Sequence, residues 1–210
     1  MIKKSTLMRS ALALAAFLAA SASSAMPITF NFADGGGNRD VGTLLTQTVS
    51  GLTVSVTATG AGIHQNGTFG LGVSGGAGGN RVAAFADGSL DEALIFEFSP
   101  TQVSLLESVI FERGGGGQST FELFVDGGLV GSFDIGGGPA NTQETLDFSG
   151  LGLVGSSYEF RAIASGNGFR VSELTVARVA EPGTLALASI GLLGLSAMSR
   201  RRRQVAVEAS

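Results

Sequence analysis

The chain has one histidine, His64, in the run Gly62-Ile-His-Gln-Asn-Gly67. A serine nucleophile activated by an imidazole base would have to use it. Gly72-Val-Ser-Gly-Gly has the letters of a Gly-x-Ser-x-Gly elbow, but in so glycine-rich a stretch it carries no weight. A zinc site built on imidazole or thiolate needs more than one such ligand, and the chain has no cysteine. The same absence excludes disulfides and a cysteine nucleophile. His64 therefore reads as a polar loop residue. Asp91, Glu92, Glu97 and Glu112 supply carboxylates of the kind a glycosidase pair uses. Seventeen acidic residues in 210 bring some pairs together by chance, and most sit where strand faces meet solvent. No catalytic set is assigned.

One run offers oxygen ligands at alternate positions. Asp34-Gly-Gly-Gly-Asn38-Arg-Asp40 resembles the opening of an EF-hand loop, although Leu45 stands where the bidentate glutamate belongs. Calcium at Asp34, Asn38 and Asp40 is the only cofactor expectation. Gly75-Gly-Ala-Gly-Gly79 and Gly114–Gly117 are not phosphate cradles, since neither leads into Lys-Ser/Thr or a helix start.

These residues lie in a strongly acidic region. From Met26 to Pro182 there are six arginines, no lysine and sixteen acidic residues, a net charge of −10 hidden by basic ends. Such a field repels phosphate backbones and argues against nucleic acid as a partner. The same region alternates apolar and polar residues with period two, broken by glycine-rich turns. Strands are predicted at 28–32, 52–59, 94–98, 103–112, 120–126, 129–135, 144–148, 158–162 and 169–176. Asp126-Gly127 reads as a tight hairpin turn. The fold expected for 26–178 is all-β, an antiparallel β-sandwich with jelly-roll topology. A β-solenoid is the alternative, but no fixed-period repeat supports it.

The two ends read as targeting segments. Lys3, Lys4 and Arg9 precede an apolar stretch from Ala11 to Ala20 and small residues up to Ala25, the pattern of a secretory signal peptide over 1–25. After the last strand come Ala180-Glu181-Pro182, an apolar run over 184–199, then Arg200, Arg201, Arg202 and Arg203. As a helix that run is about 24 Å long, and Arg200 can snorkel toward a hydrocarbon core of about 30 Å. A single C-terminal transmembrane helix is expected, with the arginines and the 204–210 tail in the cytoplasm. Glu181-Pro182 favours extended backbone, the conformation in which a protease accepts a chain.

The three-part tail over 179–203 resembles the PEP-CTERM sorting signal of Gram-negative bacteria. Glu181 and Pro182 match its second and third motif positions, Ala180 replaces its first proline, and Arg200–Arg203 match its basic cluster. Gly70-Leu-Gly-Val73 and Leu90-Asp-Glu-Ala-Leu-Ile-Phe-Glu-Phe98 also look like stretches of family members. Those members often have a jelly-roll resembling carbohydrate-binding modules, a likeness of fold that does not establish a ligand. The resemblance implies an exosortase substrate without catalytic activity, exported by the secretion machinery and trimmed by signal peptidase. It would be held transiently in the inner membrane with its domain in the periplasm, then passed to the cell surface or an exopolysaccharide matrix. A carbohydrate-binding module is the rival reading, weakened because tryptophan is absent and the lone tyrosine, Tyr158, alternates with the core. A glycoside hydrolase is the more distant rival.

Overall fold

The computed structural model describes residues 26–60, 62–75, 79–84, 91–99, 104–114, 118–163 and 168–179. The expected signal peptide, the transmembrane helix over 184–199, Ala180-Glu181-Pro182, Arg200–Arg203 and the 204–210 tail lie outside these residues. Among the described residues no helix is long and apolar enough to cross a membrane.

Met26–Val179 forms one compact unit. Its strands are β1 (Pro27–Asn31), β2 (Asn38–Gly42), β3 (Leu44–Val49), β4 (Leu52–Ala58), β5 (Ile63–Asn66), β6 (Gly70–Val73) and β7 (Ala93–Phe98), followed by β8 (Ser104–Arg113), β9 (Ser119–Val125), β10 (Gly128–Ile135), β11 (Gln143–Asp147), β12 (Val154–Gly155), β13 (Ser157–Ala162) and β14 (Phe169–Arg178). They make two antiparallel sheets. The first runs β11-β8-β14-β6-β5-β2, with β1 added to β14 and β12 to β8; the second runs β10-β9-β13-β7-β4-β3. The chain passes repeatedly from one sheet to the other, so neighbouring strands are mostly distant in sequence. An all-β, sandwich-like architecture was expected, and that is what forms.

Alternation decides which side chains go inside. Leu52, Val54 and Val56 of β4, Phe121 and Leu123 of β9, and Tyr158 and Phe160 of β13 are fully buried. Phe160 joins the layers, with its ring centroid 5.6 Å from Phe96 and 5.7 Å from Phe121 in its own sheet and 5.6 Å from Phe111 in the other. Tilted and edge-on pairs of this kind add about 0.5–1.5 kcal/mol each beyond their burial. Tyr158 donates to the Ser104 carbonyl at 2.6 Å and accepts from Ser104 Oγ at 3.1 Å. Burial, opposed by the bond from the Ser104 hydroxyl, raises its phenol pKa.

One turn and one strand show why particular glycines are needed. Asp126 and Gly127 both have positive φ, 49° and 79°, and Gly128 pairs directly with Val125. That is the expected two-residue hairpin. In β6 a methyl at Gly70 would collide with the Val171 carbonyl and one at Gly72 with the Asn80 carbonyl. Gly70-Leu-Gly-Val73 is thus a buried strand that two other backbones approach closely.

Five strands were not predicted: β2, β3, β5, β6 and β12. Most are short and glycine-rich or polar. In β3 the inward residues are Leu45, Gln47 and Val49, and the amide in the middle interrupts the apolar period. His64 is corrected from loop to strand: it lies on β5, only 8% exposed. The flexible loop expected over Asp34–Asp40 is likewise half strand, because Asn38 and Asp40 belong to β2 and pair with Asn66 and His64.

Candidate functional site

β2 is the last strand of the first sheet and β3 the last of the second, and the chain turns directly from one to the other at Gly42-Thr43. Between these edges lies a cleft of about 210 Å³, lined by Asn31, Phe32, Asp34, Arg39, Leu45, Thr46, Gln47 and Gln65. Six of the eight are polar. Gln65, almost fully buried, donates to the Phe32 carbonyl at 3.0 Å and accepts from Arg39 Nε at 3.1 Å and Nη2 at 2.7 Å. This locks the amide orientation and turns the guanidinium along the cleft wall. Asp34 Oδ2 stands 3.7 Å from Arg39 Nη2, and both side chains are about half exposed. Opposite them, Gln47 Nε2 donates to the Asn31 carbonyl at 3.1 Å. That bond requires the nitrogen at that position, so Oε1 is the free end of the amide. It is buried without a hydrogen-bond partner. An acceptor left in that state costs about 1–3 kcal/mol.

On the other face of β2, His64 Nδ1 donates to Asp40 Oδ1 at 2.9 Å, and Ser74 Oγ donates to the same oxygen at 2.7 Å. Asp40 is held below the usual carboxylate range, first by the His64 bond and then by Ser74. The order is His–Asp–Ser, with the carboxylate in the middle. An activated serine needs the imidazole in the middle, so this trio cannot deprotonate Ser74 through His64.

Of the expected calcium ligands, Asn38 and Asp40 stand two apart on β2 and Asp34 lies before that strand. Arg39 and Asp40 are adjacent in a strand and point to opposite faces; Asp34 accompanies the first and Asp40 is bonded to His64 and Ser74. Among the described residues no group of three or more His, Asp or Glu side chains is placed to hold a metal ion. The carboxylates considered for catalysis also separate. Glu97 is exposed, while Glu92 is buried and accepts from the Ala83 amide at 2.9 Å. Glu112, fully buried, accepts from Arg170 Nη1 at 3.0 Å and Arg81 Nη2 at 3.3 Å.

No protein-family model matches the chain, and no curated protein does. Among solved structures, a family 35 carbohydrate-binding module from Clostridium thermocellum is similar to it. The TM-score is 0.38 at 19% identity, covering 72% of this chain and 98% of that one.

Surface aromatics were the signal sought for a saccharide platform, and no aromatic stands among the exposed large apolar residues described. Phe124, partly buried, is covered by the Arg161 guanidinium, 4.3 Å above its ring centroid. The cleft residues Arg39, Gln47 and Gln65 went unassigned in the sequence. The one available signal was an amide at an inward position of an otherwise apolar alternation, in Leu45-Thr46-Gln47-Thr48-Val49.

Proposed function

We propose that this chain is an exported, non-catalytic surface or matrix protein delivered by its C-terminal tail. The observation that carries the reading is the order of segments: a signal-peptide pattern over 1–25, then an acidic domain, then Ala180-Glu181-Pro182, an apolar run and Arg200–Arg203. In this reading exosortase recognises Glu181 and Pro182, the run over 184–199 crosses the membrane, and the arginines hold its end in the cytoplasm. The alternation of the chain between two sheets supports a jelly-roll description of the delivered domain. The His64–Asp40–Ser74 order supports a role without hydrolysis. Intact-mass measurement of the surface fraction tests the reading. Protein made in cells with exosortase should lose its tail, whereas Glu181→Ala and Pro182→Ala proteins should stay in the membrane. A surface species still carrying Arg200–Arg203 would sink the processing step.

A second reading, that the delivered domain binds a saccharide, is favoured by one observation: the polar cleft between β2 and β3. Amide and guanidinium groups fixed by their own hydrogen bonds are what hydroxyl recognition requires.

A further inference from the structure

We infer that the cleft between β2 and β3 takes a neutral, hydroxyl-rich ligand, one sugar ring or the end of a glycan chain, held at Arg39 and Asp34 and packed against Gln47 and Thr46. This rests on the saccharide-binding reading and gives it a place and a chemical class. It does not depend on the tail.

The charge in the cleft selects against ions of either sign. A carboxylate or phosphate drawn to Arg39 would meet Asp34, which already sits 3.7 Å from that guanidinium, within a domain of net charge −9. A cation drawn to Asp34 would meet Arg39. A hydroxyl suffers neither penalty and both donates and accepts.

The hydrogen-bond inventory matches that choice. Arg39 uses Nε and Nη2 on Gln65, and among the described residues its Nη1 has no partner, which leaves donors for a ligand oxygen. Asp34, half exposed beside Arg39, offers carboxylate oxygens as acceptors, so the occupant must bring a hydrogen. A carboxylate ion has none to bring. Leu45, half-buried, adds apolar contact for ring carbons. The volume, about 210 Å³, falls below the ~300–1,000 Å³ of pockets that enclose drug-sized ligands. One ring or a chain end fits that size, and an enclosed oligosaccharide does not.

The test is a glycan array carrying neutral and uronate-bearing glycans, probed with the full chain in a non-glycosidic detergent. Parallel runs would use Arg39→Ala, Gln47→Leu and Thr46→Ile. Gln47→Leu replaces a lining amide with little change of volume. Thr46→Ile alters an exposed lining residue outside the Gln65–Arg39 network and suits a strand, so it reports on the cleft even where another variant folds poorly. Neutral glycans should bind, and each variant should weaken them about tenfold or more. Binding unchanged in all three variants would overturn the cleft as the site and leave the saccharide reading standing. Binding of no glycan would overturn both, and a preference for uronate-bearing glycans would overturn the neutral class.

Discussion

Two arginine-centred clusters lie on this sandwich, and they differ chiefly in burial. In one, β8 and β14 place Glu112 directly opposite Arg170, and Arg81 reaches the same carboxylate. Phe111, Phe169 and Val171 fill the core side of these strands, so the ionic residues occupy the opposite face, yet Glu112 is 0% and Arg170 6% exposed. Burial presses the Arg170 pKa down and Glu112 opposes that shift. In the other, Arg39 and Asp34 sit half exposed at a cleft mouth with neutral amides behind them. Each cluster leaves one buried atom unpartnered, Arg81 Nε in the first and Gln47 Oε1 in the second. The buried cluster has its charges committed to one another and acts as a fastening. The cleft still presents guanidinium donors and a half-exposed carboxylate beside open space, and so it can act as a site.

The sharpest way to break this contrast is Glu112→Ala. It strands two largely buried guanidiniums, and loss of one partner from a buried ionic cluster costs about 3–5 kcal/mol. Urea unfolding should show a midpoint lowered accordingly, and a change below about 1 kcal/mol would remove the distinction drawn between the clusters.

Tyr158→Phe sharpens the same point with a neutral group. The phenol, 0% exposed, loses its bond to Ser104, and the expected cost is about 1–3 kcal/mol. Its raised pKa also fixes the sign of an alkaline effect. The contribution is intact below the unfolded value of 10.0 and declines as pH rises through the higher folded value. The variant should lack that part of the alkaline decline. Tyr158 is the chain's single tyrosine, so its ionisation can be followed directly by ultraviolet absorbance.

Arg39→Ala should be the mildest in stability, about 1 kcal/mol, because Asp34 is half exposed and the truncated side chain leaves room for water at the Gln65 Oε1 it bonded. Thermal unfolding at matched pH checks this. A large loss would mean that Arg39 fastens the edge strands together as Glu112 fastens β8 to β14.

The core was legible because its physics is local. Phe121, Leu123, Tyr158 and Phe160 recur every second residue, and a pleated strand turns such residues to one side whatever its neighbours. The Asp126-Gly127 turn was legible for the same reason, since positive φ is a property of those two residues. The short polar strands were not. β2 and β5 become strands by pairing with each other although the β3–β4 hairpin separates them in the chain, and nothing in Asn38-Arg-Asp-Val-Gly42 alone requires it.

The sequence by itself therefore determined the fold class, which residues form the core, and the acidic charge of the domain. Only the tertiary structure decided the polar sites. Asp34 and Asp40, six apart in the chain, end on opposite sides of β2, whereas Arg39, Gln47 and Gln65 meet from three strands. Alternation is set within a strand, but the meeting of two sheet edges depends on how the whole chain crosses between them. A cleft built at that meeting leaves little trace in any one stretch of residues.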